Sequence, residues 1–336
     1  MKRWIALLFL FLSLFASCAH AESYTSATWR DGNVYFSVSY NAQNDTYWIM
    51  VFEYRTIFGI RIPIVPRYQV YCIDGNLTTA TPVFSTDHRI YRLLAHGDRL
   101  YYEREVLFDP MSNNIFCYNT KTHENTKCMP GQAQLIRSVS SKELIYNDWD
   151  NGDLYTYNIE QQCKRLISED SSIFAYDSQG LYFHDSENKI KKYCFENGAI
   201  CDINFPDDVD YVWDGYGINQ SKGLLYSPTG DIHDISYLKD AYTFNVTEGI
   251  LYAYYSDTKK CMYAFLDDPS VPHEVKLEKK PEWGERTNVT DGEILHYTYS
   301  LNVANGKIFG TAMVHKKCVL FVFDARTEET KIISLR

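Results

Sequence analysis

SQGLYF, Ser178–Phe183, is one copy of a phrase that returns along this chain: a small turn, usually with glycine, then two apolar residues and an aromatic. The other copies are DGNVYF (Asp31–Phe36), HGDRLYY (His96–Tyr102), SKELIY (Ser141–Tyr146), SKGLLY (Ser221–Tyr226), TEGILY (Thr247–Tyr252) and NGKIFG (Asn305–Gly310). A single turn-plus-strand unit cannot bury its own apolar face and must stack on its neighbours. Seven such units predict an all-β fold, a β-propeller of about seven four-stranded blades.

The text between the phrases fits. YTYNI and FVFD alternate aromatic and polar residues with the period of two that marks strands. LLY, ILY and LIY are apolar throughout, as expected of inner strands covered on both faces by neighbouring sheets. Helical periodicity is almost absent. The aromatic ends of successive phrases are 66, 44, 37, 43, 26 and 57 residues apart, and a blade needs about 40 to 50. The first gap holds an insertion around Tyr54–Tyr68 with Pro63 and Pro66. The fifth is short for a blade, and the sixth contains a near-match, DGEILHY, at Asp291–Tyr297. Six or eight blades therefore stay open as counts. Closure is expected to recruit a strand from near Thr25–Arg30 or from Lys331–Leu335 into a shared blade, because closed arrays avoid open edges.

The N-terminus reads as an export signal. Lys2 and Arg3 precede the apolar run Trp4–Ala16, and Ala19-His20-Ala21 is a small-x-small cleavage site. We therefore expect residues 1–21 to be removed and residues 22–336 to form the propeller domain, secreted or otherwise extracytoplasmic. The run is shorter than the roughly 20 residues of a membrane span. Phe15-Ala16-Ser17-Cys18 also resembles a lipobox, which makes a cell-surface lipoprotein anchored through Cys18 the alternative. The chain has 43 acidic and 33 basic residues, a net charge of −10, and no basic block. Nucleic acid is therefore not an expected partner. A protein, peptide or glycan ligand is, with the chain acting as a monomer.

Without Cys18 eight cysteines remain, an even number that suggests disulfides in an exported chain. In KKYCFENGAICDI a two-residue Asn197-Gly198 turn would set Cys194 opposite Cys201. Cys117 and Cys128 flank a similar, longer turn and are the second expected pair. Cys72, Cys163, Cys261 and Cys318 carry no pairing. C-x-x-C spacing is absent, which argues against zinc.

LIYNDWDNGDLYTYNIEQQ, Leu144–Gln162, resembles the YWTD repeat of propellers of the low-density-lipoprotein-receptor type. The chain from about residue 24 to 336 also resembles tyrosine-rich secreted bacterial proteins with a receptor-like propeller of unknown function. The strict tetrapeptide is missing from every repeat. The resemblance implies the fold and a binding role, and it transfers no catalytic residue.

Two site readings follow from the residues. Asp148, Asp150 and Asp153, with Gly152, space hard oxygen ligands as a calcium loop does, without that loop's distant Glu; an acidic β-turn accounts for the same residues. Trp149, Trp213 and Trp283 lie in loop-like surroundings and are the plausible ligand contacts. Most other rings should fill the space between blades, with tyrosine hydroxyls reaching edge partners. The histidines show no metal spacing, and no nucleophile elbow, phosphate loop or dinucleotide fingerprint occurs. The chain thus reads as a non-catalytic binding or scaffold module. The alternative is an extracellular carbohydrate-active enzyme, a hydrolase or lyase, with its site in the central funnel. Five Asn-x-Ser/Thr sites begin at Asn44, Asn76, Asn219, Asn245 and Asn288. In a eukaryotic source they would predict glycosylated loops.

Expression in a secreting host should yield a mature protein beginning at Glu22. Intact mass and N-terminal sequencing check this, and a lipid-modified Cys18 at the N-terminus would overturn it.

Overall fold

The computed structural model describes residues 36–275 and 302–335, apart from 54–55, 58–59, 62–66, 89, 107–108, 130–132, 139, 141, 149, 178, 204, 207, 256, 259 and 315–316. Blade 1 is Phe36–Asn41 (β1), Thr46–Glu53 (β2), an inserted hairpin Thr56–Ile57 (β3) and Ile60–Arg61 (β4), then Arg67–Asp74 (β5) and Ala80–Thr86 (β6). Blade 2 is Ile90–His96 (β7), Arg99–Val106 (β8), Asp109–Asn119 (β9) and Asn125–Met129 (β10). Blade 3 is Ala133–Ser138 (β11), Glu143–Asp148 (β12), Leu154–Asn158 (β13) and Cys163–Ser168 (β14). Blade 4 is Ser172–Tyr176 (β15), Gly180–His184 (β16), Ile190–Cys194 (β17) and Ile200–Asp202 (β18). Blade 5 is Tyr211–Trp213 (β19), Tyr216–Asn219 (β20), Leu224–Tyr226 (β21) and Ile232–Asp234 (β22). Blade 6 is Thr243–Thr247 (β23), Ile250–Tyr255 (β24), Lys260–Phe265 (β25) and Asp268–Glu274 (β26). Blade 7 is Val303–Ala304 (β27), Lys307–Val314 (β28), Lys317–Asp324 (β29) and Glu329–Ser334 (β30). The fold is a seven-bladed β-propeller of antiparallel four-stranded sheets, as the repeats predict.

First strands of successive blades touch one another and fourth strands are largely exposed, so each sheet runs from axis to rim. Strand periodicity then decides where side chains go. Tyr102 packs into the seam of blades 1 and 2, while its neighbour Tyr101 packs into the seam of blades 2 and 3. Leu144 and Tyr146 face blade 2, and Ile145 faces blade 4. Ile250 and Tyr252 face blade 7, and Leu251 faces blade 5. Each of the seven seams holds one buried apolar cluster. This is why the phrase carries consecutive apolar residues: both faces of the second strand are covered.

Five phrases enter second strands: β8, β12, β16, β24 and β28. Two do not. DGNVYF leads into β1, a first strand, and SKGLLY leads into β21, a third strand. The short fifth gap is therefore measured from a strand too late, and the long first gap from a strand too early. The second strand of blade 5, YGIN, escapes the pattern because Gly217 replaces an apolar residue. A Cβ there would meet the Phe205 ring at 2.8 Å, so the glycine makes room for that ring. DGEILHY lies outside the described residues.

Polar latches join the turns between first and second strands. Asn41 donates to Gly97 O at 2.6 Å and accepts from Gly97 N at 3.2 Å, tying blade 1 to blade 2. Buried Asp177 accepts from Asp214 N of blade 5 at 2.7 Å, and from Gly180 N and the Tyr182 hydroxyl of its own blade. Gly306 N donates to Thr247 Oγ1 and its carbonyl accepts from the Tyr252 hydroxyl, tying blade 6 to blade 7. Burying these hydroxyls and amides unpaired would cost about 1–3 kcal/mol each.

On the C-terminal side closure differs from the expectation. Lys331–Leu335 supplies most of β30, the fourth strand of blade 7, and all four strands of blade 1 are consecutive. Among the described residues no blade is shared between the two ends; Thr25–Arg30 lies outside them. Side-chain packing joins blades 7 and 1 instead: Phe309, Leu320, Val322 and Ile333 meet Tyr47, Ile49, Val51 and Ile73. Asn305 Nδ2 donates to the Tyr47 hydroxyl at 2.9 Å, and Lys331 Nζ donates to Asn76 O at 2.8 Å.

Phe309→Ala should destabilise the protein by about 3–5 kcal/mol, the usual cost of emptying a buried aromatic site. Ile232→Ala, on the rim with the side chain 62% exposed, should change it by less than about 0.5 kcal/mol. Urea unfolding of both variants checks the contrast.

Candidate functional site: a groove over the seam of blades 5 and 6

Antiparallel strands place the start of every first strand, the turn between second and third strands, and the connection to the next blade on one face of the ring. On that face a groove of about 570 Å3 opens over the seam of blades 5 and 6. Asp210 and Tyr211 line it from the start of β19, Gln220 and Ser221 from the β20–β21 turn, and Lys239, Tyr242, Thr243 and Phe244 from the connection into β23.

The connection contains a 3-10 helix, Ser236–Asp240. The helix and its two capping residues bury every third position, Ile235, Leu238 and Ala241, which suits three residues per turn. The helix is held from several sides. Ile235 N donates to Gly223 O at 2.8 Å, and Gln220 Nε2 donates to the carbonyls of Leu238 and Ala241 at 3.1 and 2.7 Å. The Tyr237 hydroxyl reaches Pro269 O at 3.0 Å, and the Tyr255 hydroxyl reaches Tyr237 O at 2.6 Å. Gly223 fixes the height of the helix: a Cβ there would lie 2.6 Å from Ser236 Cα, and its φ of +68° suits glycine.

Two kinds of surface meet in the groove. Tyr211 and Phe244 form an edge-to-face pair with centroids 5.6 Å apart, and the Tyr211 hydroxyl donates to Asn245 Oδ1 at 3.4 Å. Tyr242 is 53% exposed, yet its backbone N–H is fixed to Tyr254 O at 2.7 Å. Asp210 accepts from Gln220 N at 2.6 Å, which steadies its carboxylate beside the aromatic wall. Burial pushes the Tyr211 hydroxyl above its ordinary pKa, and the Tyr255 hydroxyl under the helix up to about 12, so both stay neutral donors. Asp185, Asp208 and Asp234 move the other way: Lys189 N–H, the Lys222 ammonium and Ser236 N–H respectively hold them below the usual carboxylate range.

The residues singled out from sequence lie elsewhere. Trp213 is half-buried at the end of β19, on the opposite face, packed against the apolar cluster of the seam. Trp149 and Trp283 lie outside the described residues. The Asp148–Asp153 turn joins second and third strands of blade 3, so it shares the groove's face, two blades away. Asp148 Oδ1 accepts from Asp150 N at 3.1 Å, while Asp153 accepts from Asp170 N at 3.0 Å and the Tyr155 hydroxyl at 2.9 Å. Among the described residues no group of three or more His, Cys, Asp or Glu side chains is placed to hold a metal ion.

The hairpin register corrects one cysteine argument. Cys194 pairs with Ala199, and Cys201 lies opposite Lys192. The turn is four residues long, Phe195–Gly198, because Gly198 N returns to Cys194 O at 2.8 Å. The two thiols are diagonal neighbours on one face of the hairpin. Both are free thiols here, as are Cys117 and Cys128. Of the glycosylation motifs, Asn219 is fully buried and donates to Asp208 O at 2.8 Å, which leaves it no room for a glycan.

Solved structures share the fold. The β-propeller domain of the trilobed protease from Pyrococcus furiosus, described as having an open velcro topology, is 10% identical with a TM-score of 0.56, covering 89% of this chain and 94% of that one. The Pyrococcus horikoshii acylaminoacyl peptidase is 10% identical with a TM-score of 0.50, covering 94% of this chain and 54% of that one. The chain thus spans about half the length of that peptidase. A nidogen/laminin complex is 9% identical with a TM-score of 0.38, covering 90% of this chain and 93% of that one, too loose a likeness to bear on the receptor-type resemblance. No family model matches the chain. No curated protein matches it either. At these identities the likeness is one of fold alone. No helix among the described residues is long and apolar enough to cross a membrane.

Gly223→Ala should lift the 3-10 helix off the turn beneath it and cost about 1–3 kcal/mol, the range for a strained backbone position. Faster tryptic cleavage after Lys239 in the folded variant, with urea unfolding alongside, checks that the glycine sets the groove wall.

Proposed function

We propose that this chain is an exported, non-catalytic binding module that holds a glycan in the groove over the seam of blades 5 and 6. One observation carries the reading. A solvent-facing tyrosine on immobilised backbone stands beside an aromatic pair, with Asp210, Ser221, Thr243 and Lys239 around it. A saccharide ring has an apolar C–H face and a rim of hydroxyls. The face stacks on Tyr242, and the hydroxyls find both acceptors and donors at the groove's edge. Tyrosine suits this task because it offers a large amphipathic surface with little conformational entropy to lose. The export signal at Lys2–Ala21 supports a ligand met outside the cytoplasm.

The net charge of −10 favours neutral or cationic ligands over polyanions. The carboxylates Asp185, Asp208 and Asp234, held low, suit turn-stabilising roles; a general acid needs its pKa raised.

The test is a glycan and peptide array with the mature protein, with and without calcium. A saturable glycan hit that Tyr242→Ala weakens about tenfold, equivalent to about 1.4 kcal/mol, is the expected outcome. The exposed position of the ring predicts an unchanged Tm. Peptide hits in place of glycans, or turnover of a polysaccharide by the mature protein, would overturn the proposal. Calcium-dependent binding unaffected by Tyr242→Ala would move the site to the Asp148–Asp153 turn.

A further inference from the structure

At the seam of blades 2 and 3 two cysteines face one another across an irregular strand pair. Cys117, on β9, is 2% exposed. Its partner strand runs Thr126 opposite Cys117 and Lys127 opposite Phe116, then skips to Met129 opposite Ile115. Cys128 is the extra residue of that β-bulge. A bulge re-aims a side chain without ending the ladder, and here the half-buried Cys128 side chain packs into the same seam cluster as Cys117.

Two more polar groups flank the Cys117 sulfur. Arg99 Nη1 donates to it across 3.9 Å, and fully buried Tyr101 stands directly opposite Cys117 on β8. A sulfur set beside a guanidinium favours its anion. Cys128 first, then Arg99 and Tyr101, outweigh burial and hold the Cys117 thiol below its ordinary range. The other cysteines with a shifted thiol go the opposite way: burial raises Cys72, Cys194 and Cys261, and Cys128 is raised first by Cys117 and then by burial, so Cys128 stays protonated until Cys117 takes its proton. A structural cysteine in an apolar seam needs none of this arrangement. The thiolate is the reactive form of cysteine.

We propose that Cys117 and Cys128 are a thiol–disulfide exchange pair acting on small disulfides, with Cys128 as the entry thiol, Cys117 as the resolving thiolate and Arg99 as its positioning residue. In the first step the Cys128 proton passes to Cys117 while the Cys128 sulfur attacks one sulfur of the incoming disulfide. That S–S bond breaks, and the departing thiolate takes the proton from Cys117 and leaves as a thiol. In the second step the Cys117 thiolate attacks the Cys128 sulfur and expels the other half of the reagent as a thiolate. The pair loses two electrons and the small disulfide gains them. The product disulfide links β9 to β10 and cross-braces the outer hairpin of blade 2 across the 119–124 turn.

The experiment uses the full-length mature protein, reduced with a phosphine, freed of reductant and exposed to oxidised glutathione at pH 7. Acid quenching, maleimide labelling and peptide mass spectrometry then follow each cysteine. The expected result is a Cys117–Cys128 linked peptide, with the Cys128–glutathione adduct appearing only transiently. Cys117→Ser should stall at that adduct. Arg99→Gln should slow resolution about tenfold and move its pH midpoint upward by about one unit, since a lost charge partner of this kind shifts a pKa by that order. Recovery of wild-type Cys117 and Cys128 both as labelled thiols, or a stable glutathione adduct on wild-type Cys128, would overturn the proposal. These wild-type readouts decide the matter even where a variant fails to fold. An unchanged pH midpoint in Arg99→Gln would remove the role given to the arginine.

Discussion

The fold depends on one constraint: every blade must bury both faces of its inner strands, and only another blade can cover them. A strand alternates its side chains between two faces, so a run such as Leu144-Ile145-Tyr146 commits its two sides to two different neighbours. The tyrosines make that burial specific. Each brings a large ring into a seam and ends in a hydroxyl that must be paired, and the partners on the next blade sit at strand ends: Asn305 for Tyr47, Gly306 O for Tyr252, Glu328 for Tyr263. Apolar packing supplies the cohesion, while the hydroxyls fix the register of one blade on the next.

That logic made most of the architecture readable from the amino acids. An apolar pair followed by an aromatic after a turn marks a strand covered on both sides, and five of the seven phrases are second strands. Reading failed where a contact from afar decided the residue. Gly217 is written by the Phe205 ring, which comes from the preceding connection and not from the strand itself. The turn after Cys194 failed for a local reason: Gly198 closes back onto Cys194 and takes two more residues into the loop than an Asn-Gly hairpin needs.

The groove was much less legible. Its lining comes from three separated stretches, 210–211, 220–221 and 239–244, and none is unusual by itself. The tryptophans drew attention because large rings in loop-like sequence often mark contacts, yet Trp213 is spent on packing. A usable signal did exist in Ile235, Leu238 and Ala241: a three-residue apolar spacing in a chain otherwise built on two. The thiol pair was half-legible in the same sense. The spacing of Cys117 and Cys128 across a turn pointed to their meeting, but Arg99 and Tyr101 come from the neighbouring strand β8.

The way the ring closes has an evolutionary corollary. Each described blade is written by one uninterrupted stretch of chain, and among the described residues the last meets the first through side-chain packing and side-chain hydrogen bonds, with no shared strand. Duplicating or deleting one such stretch would leave every remaining sheet intact, because no strand would lose the partner it was synthesised beside. Circular permutation at a blade boundary obeys the same rule. A ring with a shared blade is locked to its gene order, whereas blades each written in one stretch, as the described ones are, can change in number by recombination once the new seam is re-matched.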